Sequence, residues 1–257
     1  MKKFILYFLL VLLIAALAIL AYGFYNAKNV RIWAEAAAEI KSQHDISAKV
    51  ADIEKFFEAS GGKNTEELKN DMAGFQENLE KISAETEDAK KSIGSLGSPS
   101  LVSPEKEEIE NLYIQSSGQI KNLSEISKFM SQLFRVASIF DRIKQDATLD
   151  DIRSIISEAR SKSGEIDPDI LPEDLRSAGS DLKSSIGNFL ADLGDTAEGK
   201  NDGQDRLNGS YAEFSQKETD FFQGAKKYIS SFRDLDALNK KIDGDLASLG
   251  RIRFSVK

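Results

Sequence analysis

Imidazole chemistry in this chain depends on one residue, because His44 is the only histidine among 257 residues and there is no cysteine. A single histidine is too few for a His-based metal site or a His-pair mechanism. The lack of cysteine excludes disulfides, thiolate ligands and a thiol nucleophile. His44 follows Ile40 by four positions on an apolar helical stripe, where a lone polar residue more often packs or sets register than binds a ligand. We therefore expect His44 to be structural.

Two acidic loops contain the oxygen ligands that a hard cation would need. The first loop holds Glu165, Asp167, Asp169, Glu173 and Asp174, and the second holds Asp195, Glu198, Asp202 and Asp205. Neither loop has the ligand spacing of an EF-hand. Acidic residues beside helix starts also cap backbone N–H groups and complement the helix dipole. We expect capping rather than calcium binding, most clearly in the first loop.

No motif for catalysis or nucleotide binding occurs in the sequence. The phosphate-binding, dinucleotide-binding, serine-elbow and zinc-protease patterns are all missing. Serine and lysine are abundant enough for a Ser–Lys mechanism, but no pattern marks one. We assign no catalytic, cofactor-binding or metal-binding residue, expect no cofactor, and predict that the chain is not an enzyme.

The charge balance is acidic. The chain has 34 Lys+Arg against 42 Asp+Glu, a formal net charge of −8. Nucleic acid is therefore not expected as a partner, since proteins that bind it usually carry a basic surface. The chain is 41% hydrophobic and 30% charged, a composition that can fold rather than stay disordered.

The residues Phe4–Tyr22 form a stretch of 19 positions with no charged or strongly polar side chain. As a helix it would be about 28 Å long, close to the roughly 30 Å hydrocarbon core of a bilayer. Lys2 and Lys3 precede it, and Tyr25 follows it, where an aromatic ring favours the membrane interface. We predict a transmembrane signal anchor over residues 4–23, with the lipid bilayer as its partner.

An alternative interpretation of the same stretch is a cleaved signal peptide. Ala16–Leu17–Ala18 has the small-residue pattern of a cleavage site. The apolar run continues beyond it to Tyr22, which favours retention as an anchor. Basic residues lie on both sides of the run, so the positive-inside bias is small. We expect residues 1–3 in the cytoplasm and a single-pass protein of the cell membrane whose body is extracytoplasmic.

The placement of proline predicts long helices in the body. All four prolines lie in two short windows, 99–104 and 168–172, and proline breaks helix interiors. No long segment alternates in the manner of a strand. We predict an all-α fold, in which residues 24–257 form an elongated antiparallel helical bundle with coiled-coil heptads. The predicted helices cover approximately 24–60, 65–93, 104–145, 149–162, 172–194 and 204–249.

Two of these helices carry heptad seams, in which apolar residues recur at alternating steps of four and three. The earlier seam is Leu68, Met72, Phe75, Leu79, Ile82, Thr86, Ala89 and Ile93. The later seam is Leu207, Tyr211, Phe214, Glu218, Phe221, Ala225, Tyr228, Phe232, Leu235, Asn239, Ile242, Leu246 and Leu249. Asn239 should be buried and hydrogen-bonded, and replacing it with leucine should raise thermal stability while loosening register.

The helix predicted over 104–145 has a narrow apolar stripe that widens after Phe129. Apolar residues then cover most of its circumference up to Ile143, which predicts that neighbouring helices cover it on most sides. We expect this half to lie at the centre of a bundle and to form core rather than a ligand pocket.

The anchor and the long heptads favour a membrane-anchored, non-enzymatic protein-interaction or scaffold module. Its protein partner is not identified by the sequence, and the seams also allow a homo-oligomer. The layout resembles the helical sensor modules of chemoreceptors, although their second membrane helix and signalling part have no counterpart in this sequence. An alternative hypothesis is an extracytoplasmic sensor-like module with a ligand cleft between its helices, which signals through a separate membrane partner.

Overall fold

The fold of the chain is taken from a computed structural model that describes residues 2–45, 48, 65–97, 99–143, 146–200 and 203–251. Within the helices, the side chains of residues 2–14, 16, 65, 66, 68, 69, 203, 229, 232 and 233 lie outside this description. The described residues form helices, turns and short connections, with no strand among them. The predicted all-α fold class is therefore confirmed.

Six α-helices account for most of the described chain. They are α1 (Lys2–Gln43), α2 (Thr65–Ser95), α3 (Ser103–Phe140), α4 (Leu149–Gly164), α5 (Glu173–Ala197) and α6 (Gly203–Gly250). Short 3₁₀ turns at Ser100–Val102 and Pro168–Ile170 precede α3 and α5. Each turn begins at or next to one of the proline windows.

The helices are grouped in two compact units. Unit 1 comprises Met1–Ser47, Glu85–Ser116 and Leu235–Lys257, and unit 2 comprises Ala48–Ala84 and Ser117–Asp234. Helices α2, α3 and α6 supply residues to both units, whereas α1 belongs to unit 1 and the α4–α5 pair to unit 2.

The heptad seams predict which helix faces are buried. On α2 all seven seam positions from Met72 to Ile93 are buried, and the side chain of Leu68 lies outside the description. On α6 the seam is buried at Phe221, Ala225, Leu235, Asn239, Ile242 and Leu246. Leu207, Phe214, Tyr228 and Leu249 are partly exposed, Tyr211 and Glu218 are exposed, and the side chain of Phe232 lies outside the description. Spacing alone therefore identifies the core face of α2, and that of α6 over most of the stretch from Phe221 to Leu246.

Two helix ends differ from the predicted bounds. Helix α1 ends at Gln43, and most of the remainder of the helix predicted to reach about residue 60, namely 46, 47 and 49–60, lies outside the description. Its end is followed by His44 and Asp45, both weak helix formers, and the helix dipole opposes an acid at a C-terminus. Helix α3 ends at Phe140 rather than near residue 145. There Arg142 and Ile143 donate their backbone N–H groups to carbonyls three residues earlier, which tightens and closes the last turn.

The predicted transmembrane anchor falls partly on side chains outside the description. Its backbone is helical, since α1 runs without a break from Lys2 to Gln43. Counting only the side chains that are described, no helix has an apolar stretch long enough to cross a bilayer.

The α4–α5 pair shows how closely parts of unit 2 are packed. Leu171, in the connection between the two helices, is fully buried beside Gly179 of α5. A Cβ atom on Gly179 would collide with Leu171 and would lie 3.4 Å from the Phe129 ring. Gly187, two turns later on the same helix, has open space where its Cβ would be. The glycine at 179 therefore permits a close approach that a side chain would block.

We expect Gly179→Ala to lower the free energy of unfolding by about 1–3 kcal/mol, because the new Cβ would force the buried Leu171 side chain to shift. Gly187→Ala is the matched control on the same helix. It should raise stability by roughly 0.5–1 kcal/mol, since alanine loses less backbone entropy than glycine. Denaturant unfolding of the two variants measures both effects. Equal effects of the two substitutions would show that the Leu171 contact does not constrain α5.

Candidate functional site

An apolar cleft in unit 2 has a volume of about 320 Å³. Its walls come from the C-terminal half of α3, the middle of α5 and the N-terminal half of α6. Five phenylalanines line it, namely Phe134, Phe140, Phe189, Phe214 and Phe222. Aliphatic residues, among them Met130, Leu133 and Ile186, fill the spaces between the rings. The cleft therefore offers a concave aromatic surface open on one side.

Glu218 is the one charged residue that lines the cleft. It lies one turn after Phe214 on α6, at an exposed position. Partial desolvation of the carboxyl beside the apolar wall raises the pKa of Glu218 above its usual value. The structure gives this carboxylate no hydrogen bond or ion pair with any described side chain. Glu218 is thus an unpaired negative charge at the edge of an aromatic wall.

Ring contacts and one ion pair fix the walls of the cleft. The Phe189 ring on α5 stacks on the Phe214 ring of α6, with centroids 6.0 Å apart and planes 20° apart. Behind the cleft, the buried rings of Phe129 and Phe221 lie 5.0 Å apart. Lys217 of α6 is 3.0 Å from the carboxylate of Asp181 on α5. These contacts hold α5 and α6 against each other and leave Glu218 on the open side.

The second half of α3, predicted to be covered on most sides, combines buried residues with partly exposed residues that line the cleft. Phe129, Val136 and Ile139 are buried, as expected for core residues. Met130 and Phe134 are only half-buried, because they face the cleft rather than another helix. Sequence periodicity shows that this helix segment is apolar around most of its circumference. It does not show whether a neighbouring helix covers each side.

A buried polar cluster occupies the core of unit 1. Lys41, near the end of α1, has a side chain that is only 4% exposed. Its ammonium donates to the side-chain oxygen of Asn239 on α6, and lies 3.2 Å from the carboxylate of Asp243 one turn later. Tyr113 of α3 is fully buried in the same unit. The cluster ties α1 to α6 across a sequence separation of 198 residues.

Burial sets the electrostatics of this cluster. Desolvation lowers the pKa of Lys41, and the nearby carboxylates of Asp243 and Asp45 oppose that effect only in part. Desolvation also raises the pKa of the Tyr113 hydroxyl, and the same two carboxylates add to the rise. Burying an ammonium group costs desolvation free energy. The amide oxygen and the partly exposed carboxylates around Lys41 offset part of that cost.

The prediction that Asn239 is buried and hydrogen-bonded is confirmed, since this residue is 5% exposed and accepts from Lys41. Sequence reasoning placed Ile40 on the core stripe of α1 and missed its neighbour Lys41. A signal was present, because Lys41 follows the fully buried Ala37 by four positions. A buried Asn on one helix also requires a donor or acceptor from another.

The other residues singled out from the sequence have local roles or are peripheral. His44 lies in the turn after α1, and its Nδ1 is buried without a hydrogen-bond partner in the described chain. In the first acidic loop, Asp167 caps the 3₁₀ turn by accepting from the Asp169 N–H. In the second, Asp195 accepts from Lys200 and Arg206. Asp202 lies outside the description. No group of three potential metal ligands occurs among the residues described.

Comparison with known proteins gives no relative. No protein-family model matches the chain, and neither the curated proteins nor the solved structures contain a match. Functional argument therefore depends on the cleft and on the pattern of exposed residues.

The lysine cluster reverses the sequence-based expectation for Asn239→Leu. We expect this variant to lose about 1.5–3 kcal/mol of stability, because it leaves the buried Lys41 ammonium without its amide partner. Lys41→Met alone should also destabilise, since it leaves the Asn239 oxygen without its buried donor. The double variant Lys41→Met/Asn239→Leu should recover to within about 1 kcal/mol of the wild type, because a packed apolar pair can replace a buried polar one.

Thermal and denaturant unfolding of the four proteins measures this cycle. Additive losses in the double variant would contradict a coupled pair. A more stable Asn239→Leu single variant would show that the seam tolerates the Lys41 ammonium without its amide partner.

Proposed function

We propose that the chain is a single-pass membrane-anchored, non-enzymatic helical-bundle protein whose body binds an apolar ligand in the cleft of unit 2. This is the sensor-like function, in which the bound state is passed to a separate membrane partner. The observation that carries the proposal is the cleft itself. Rigid helices hold five phenylalanines around an open volume of about 320 Å³.

The size and lining of the cleft agree with those of small-molecule sites. Such sites usually have volumes of roughly 300–1,000 Å³, apolar and aromatic walls and a few polar groups that orient the ligand. The cleft has an apolar wall and one carboxylate, Glu218. A large apolar surface that remains open to solvent in a folded domain is costly unless something covers it. A ligand with an apolar body would cover it.

The anchor is supported by the composition of Phe4–Tyr22 and by the exposure of the residues after it. Large apolar side chains in the described part of this region face solvent, among them Ile19 at 70% and Tyr22 at 69% exposed. Farther along α1, Val30 and Trp33 are buried in unit 1. The apolar side chains of this stretch are not covered by the helices of the body, as is expected of a helix that faces lipid.

The proposed location is the cell membrane, with residues 1–3 in the cytoplasm and the body outside it. Partners would be the lipid bilayer through residues 4–23, the ligand in the cleft, and a membrane protein that receives the signal. Nucleic acid is not among them, because the net charge is −8.

A second candidate function is a protein-interaction or scaffold module. It is favoured by large apolar side chains that are exposed outside the cleft, on α3, α4 and α6. The described examples are Ile114, Leu149 and Tyr211, which are 49%, 61% and 57% exposed. They are scattered singly, however, and single exposed apolar residues are normal on protein surfaces. The concave cleft favours the ligand-binding function.

The topology is testable with single cysteines, because the chain has none of its own. We expect Ser95→Cys, at the exposed end of α2, to react with an impermeant maleimide in intact cells. A cysteine inserted directly after Met1 is the matched control and should react only after the cells are permeabilised. The reverse pattern would place the body in the cytoplasm. Release of the protein from membranes by alkaline carbonate would contradict the anchor.

Ligand binding in the cleft can be followed through methionine, since Met130 lines the cleft and Met72 is buried elsewhere in unit 2. The full chain, labelled with ¹³C at the methionine methyl groups and placed in phosphatidylcholine nanodiscs, is titrated with 2-phenylethanol. We expect a saturable shift of the Met130 signal and an unchanged Met72 signal. The reason is that the neutral aromatic probe gains apolar burial only in the open cleft.

Filling the cleft supplies the control. Ala137→Trp places an indole on the wall of the cleft, whereas Ala212→Trp adds the same group at an exposed position that does not line it. Binding should be lost in the first variant and retained in the second. Failure of Met130 to shift in the wild type, or equal binding by both variants, would overturn the ligand-binding proposal.

A further inference from the structure

We infer that the ligand of the cleft is an organic cation, with an apolar or aromatic body that fills the phenylalanine-lined wall and an ammonium group that pairs with Glu218. This inference rests on the proposed ligand-binding function and adds the chemical class of the ligand. It is carried by the position of one unpaired carboxylate on the lining of an otherwise apolar cleft.

The charges around Glu218 leave it available to a ligand. The neighbouring cation Lys217 is already paired with Asp181, at 3.0 Å. The next acid along α6, Asp220, accepts a hydrogen bond from Gln216 at 2.8 Å. Glu218 itself has no partner among the described side chains. The rise in its pKa has desolvation as its cause and no compensating positive charge. A cation brought by the ligand would supply the missing counter-charge.

The aromatic wall of the cleft also attracts a positively charged group. The face of a phenyl ring carries partial negative charge, so an ammonium group near a ring face gains a cation–π interaction. Phe214 lies one turn before Glu218 on α6 and Phe222 one turn after it, and both line the cleft. An ammonium held at Glu218 would therefore have a ring on either side of it along the helix. A carboxylate flanked by aromatic residues is a typical setting for amines and quaternary ammonium groups.

The same arrangement disfavours the other ligand classes. A fatty acid or another organic anion would bring a second negative charge to Glu218, without a cation on the cleft wall to offset it. A neutral apolar compound could fill the cleft but would leave the desolvated carboxylate unpaired. Of the cationic, neutral and anionic ligands, only the cation gains favourable interactions with both the phenyl rings and the carboxylate.

Three probes of similar size and different charge test the inference. The labelled full chain in phosphatidylcholine nanodiscs is titrated at mildly alkaline pH with 2-phenylethylammonium, 2-phenylethanol and 3-phenylpropanoate, and the Met130 methyl signal reports binding. We expect the cation to bind about tenfold more tightly than the alcohol, because it adds an ion pair and a cation–π interaction to the same apolar contacts. The anion should bind more weakly than either.

Glu218→Gln keeps the shape of the side chain and removes its charge. In this variant the cation should bind about as tightly as the alcohol, while the affinity for the alcohol changes less than about twofold, since the apolar contacts remain. Glu213→Gln removes an exposed carboxylate from the same helix away from the cleft lining and should leave the preference for the cation intact.

Equal affinities for the three probes in the wild type would overturn the inference, as would a preference for the cation that survives in Glu218→Gln. In either case, saturable binding of 2-phenylethanol would leave the ligand-binding function standing. An absence of binding by all three probes would reject both.

Discussion

The burial of one ammonium group is the constraint on which unit 1 depends. Lys41 lies where the buried face of α1 meets α6. Its ammonium group is almost fully enclosed there. An isolated buried charge is strongly destabilising, so the structure must provide oxygen partners at that depth. Asn239 and Asp243, one turn apart on α6, do so. A shift of α6 along its seam would bring an apolar residue to Lys41. The polar contact therefore specifies which turns of α1 and α6 are paired, a choice that the apolar seam positions alone would leave open.

Sequence periodicity predicts the buried faces well, because the buried positions of a long helix recur with the period of the helix itself. The α2 seam from Met72 to Ile93 is buried where the spacing places it, and so are six positions of the α6 seam between Phe221 and Leu246. It predicts partners poorly, because Lys41 and Asn239 are 198 residues apart and nothing local links them. The same limit explains the cleft. The wide apolar face of α3 is visible in the sequence, but whether a helix, a ligand or solvent lies against it depends on the packing of α5 and α6. The sequence therefore predicts which apolar residues belong to this region, but it does not predict that they line a cavity.

Unit 2 combines tight and open packing within a few turns of the same helices. At Gly179 the absence of a side chain lets Leu171 and Phe129 approach α5 closely. Beyond that contact, Phe189 and Phe214 stack on each other and leave space on the other side of their rings. Large flat side chains on rigid helices cannot collapse into such a gap without leaving their rotamers. A cleft whose walls lie on closely packed helices needs little rearrangement to accept a ligand.

In the proposed anchored form, α1 joins the membrane to the lysine cluster without a linker. The helix continues from Lys2 to Gln43, and the 19 residues from Tyr22 to Lys41 span about 28 Å along its axis. Lys41 therefore lies well beyond the lipid-facing stretch, where its partly exposed partner Asp243 can reach water. A continuous helix transmits tilt and rotation over this distance, whereas a flexible linker would absorb them. Because Lys41 pairs with Asn239 and Asp243 on one face of α6, rotation of α1 by even a fraction of a turn would carry the ammonium away from both. In the proposed anchored form, the orientation of the anchor would therefore be coupled to the packing of unit 1, as a module that passes a signal to a membrane partner requires.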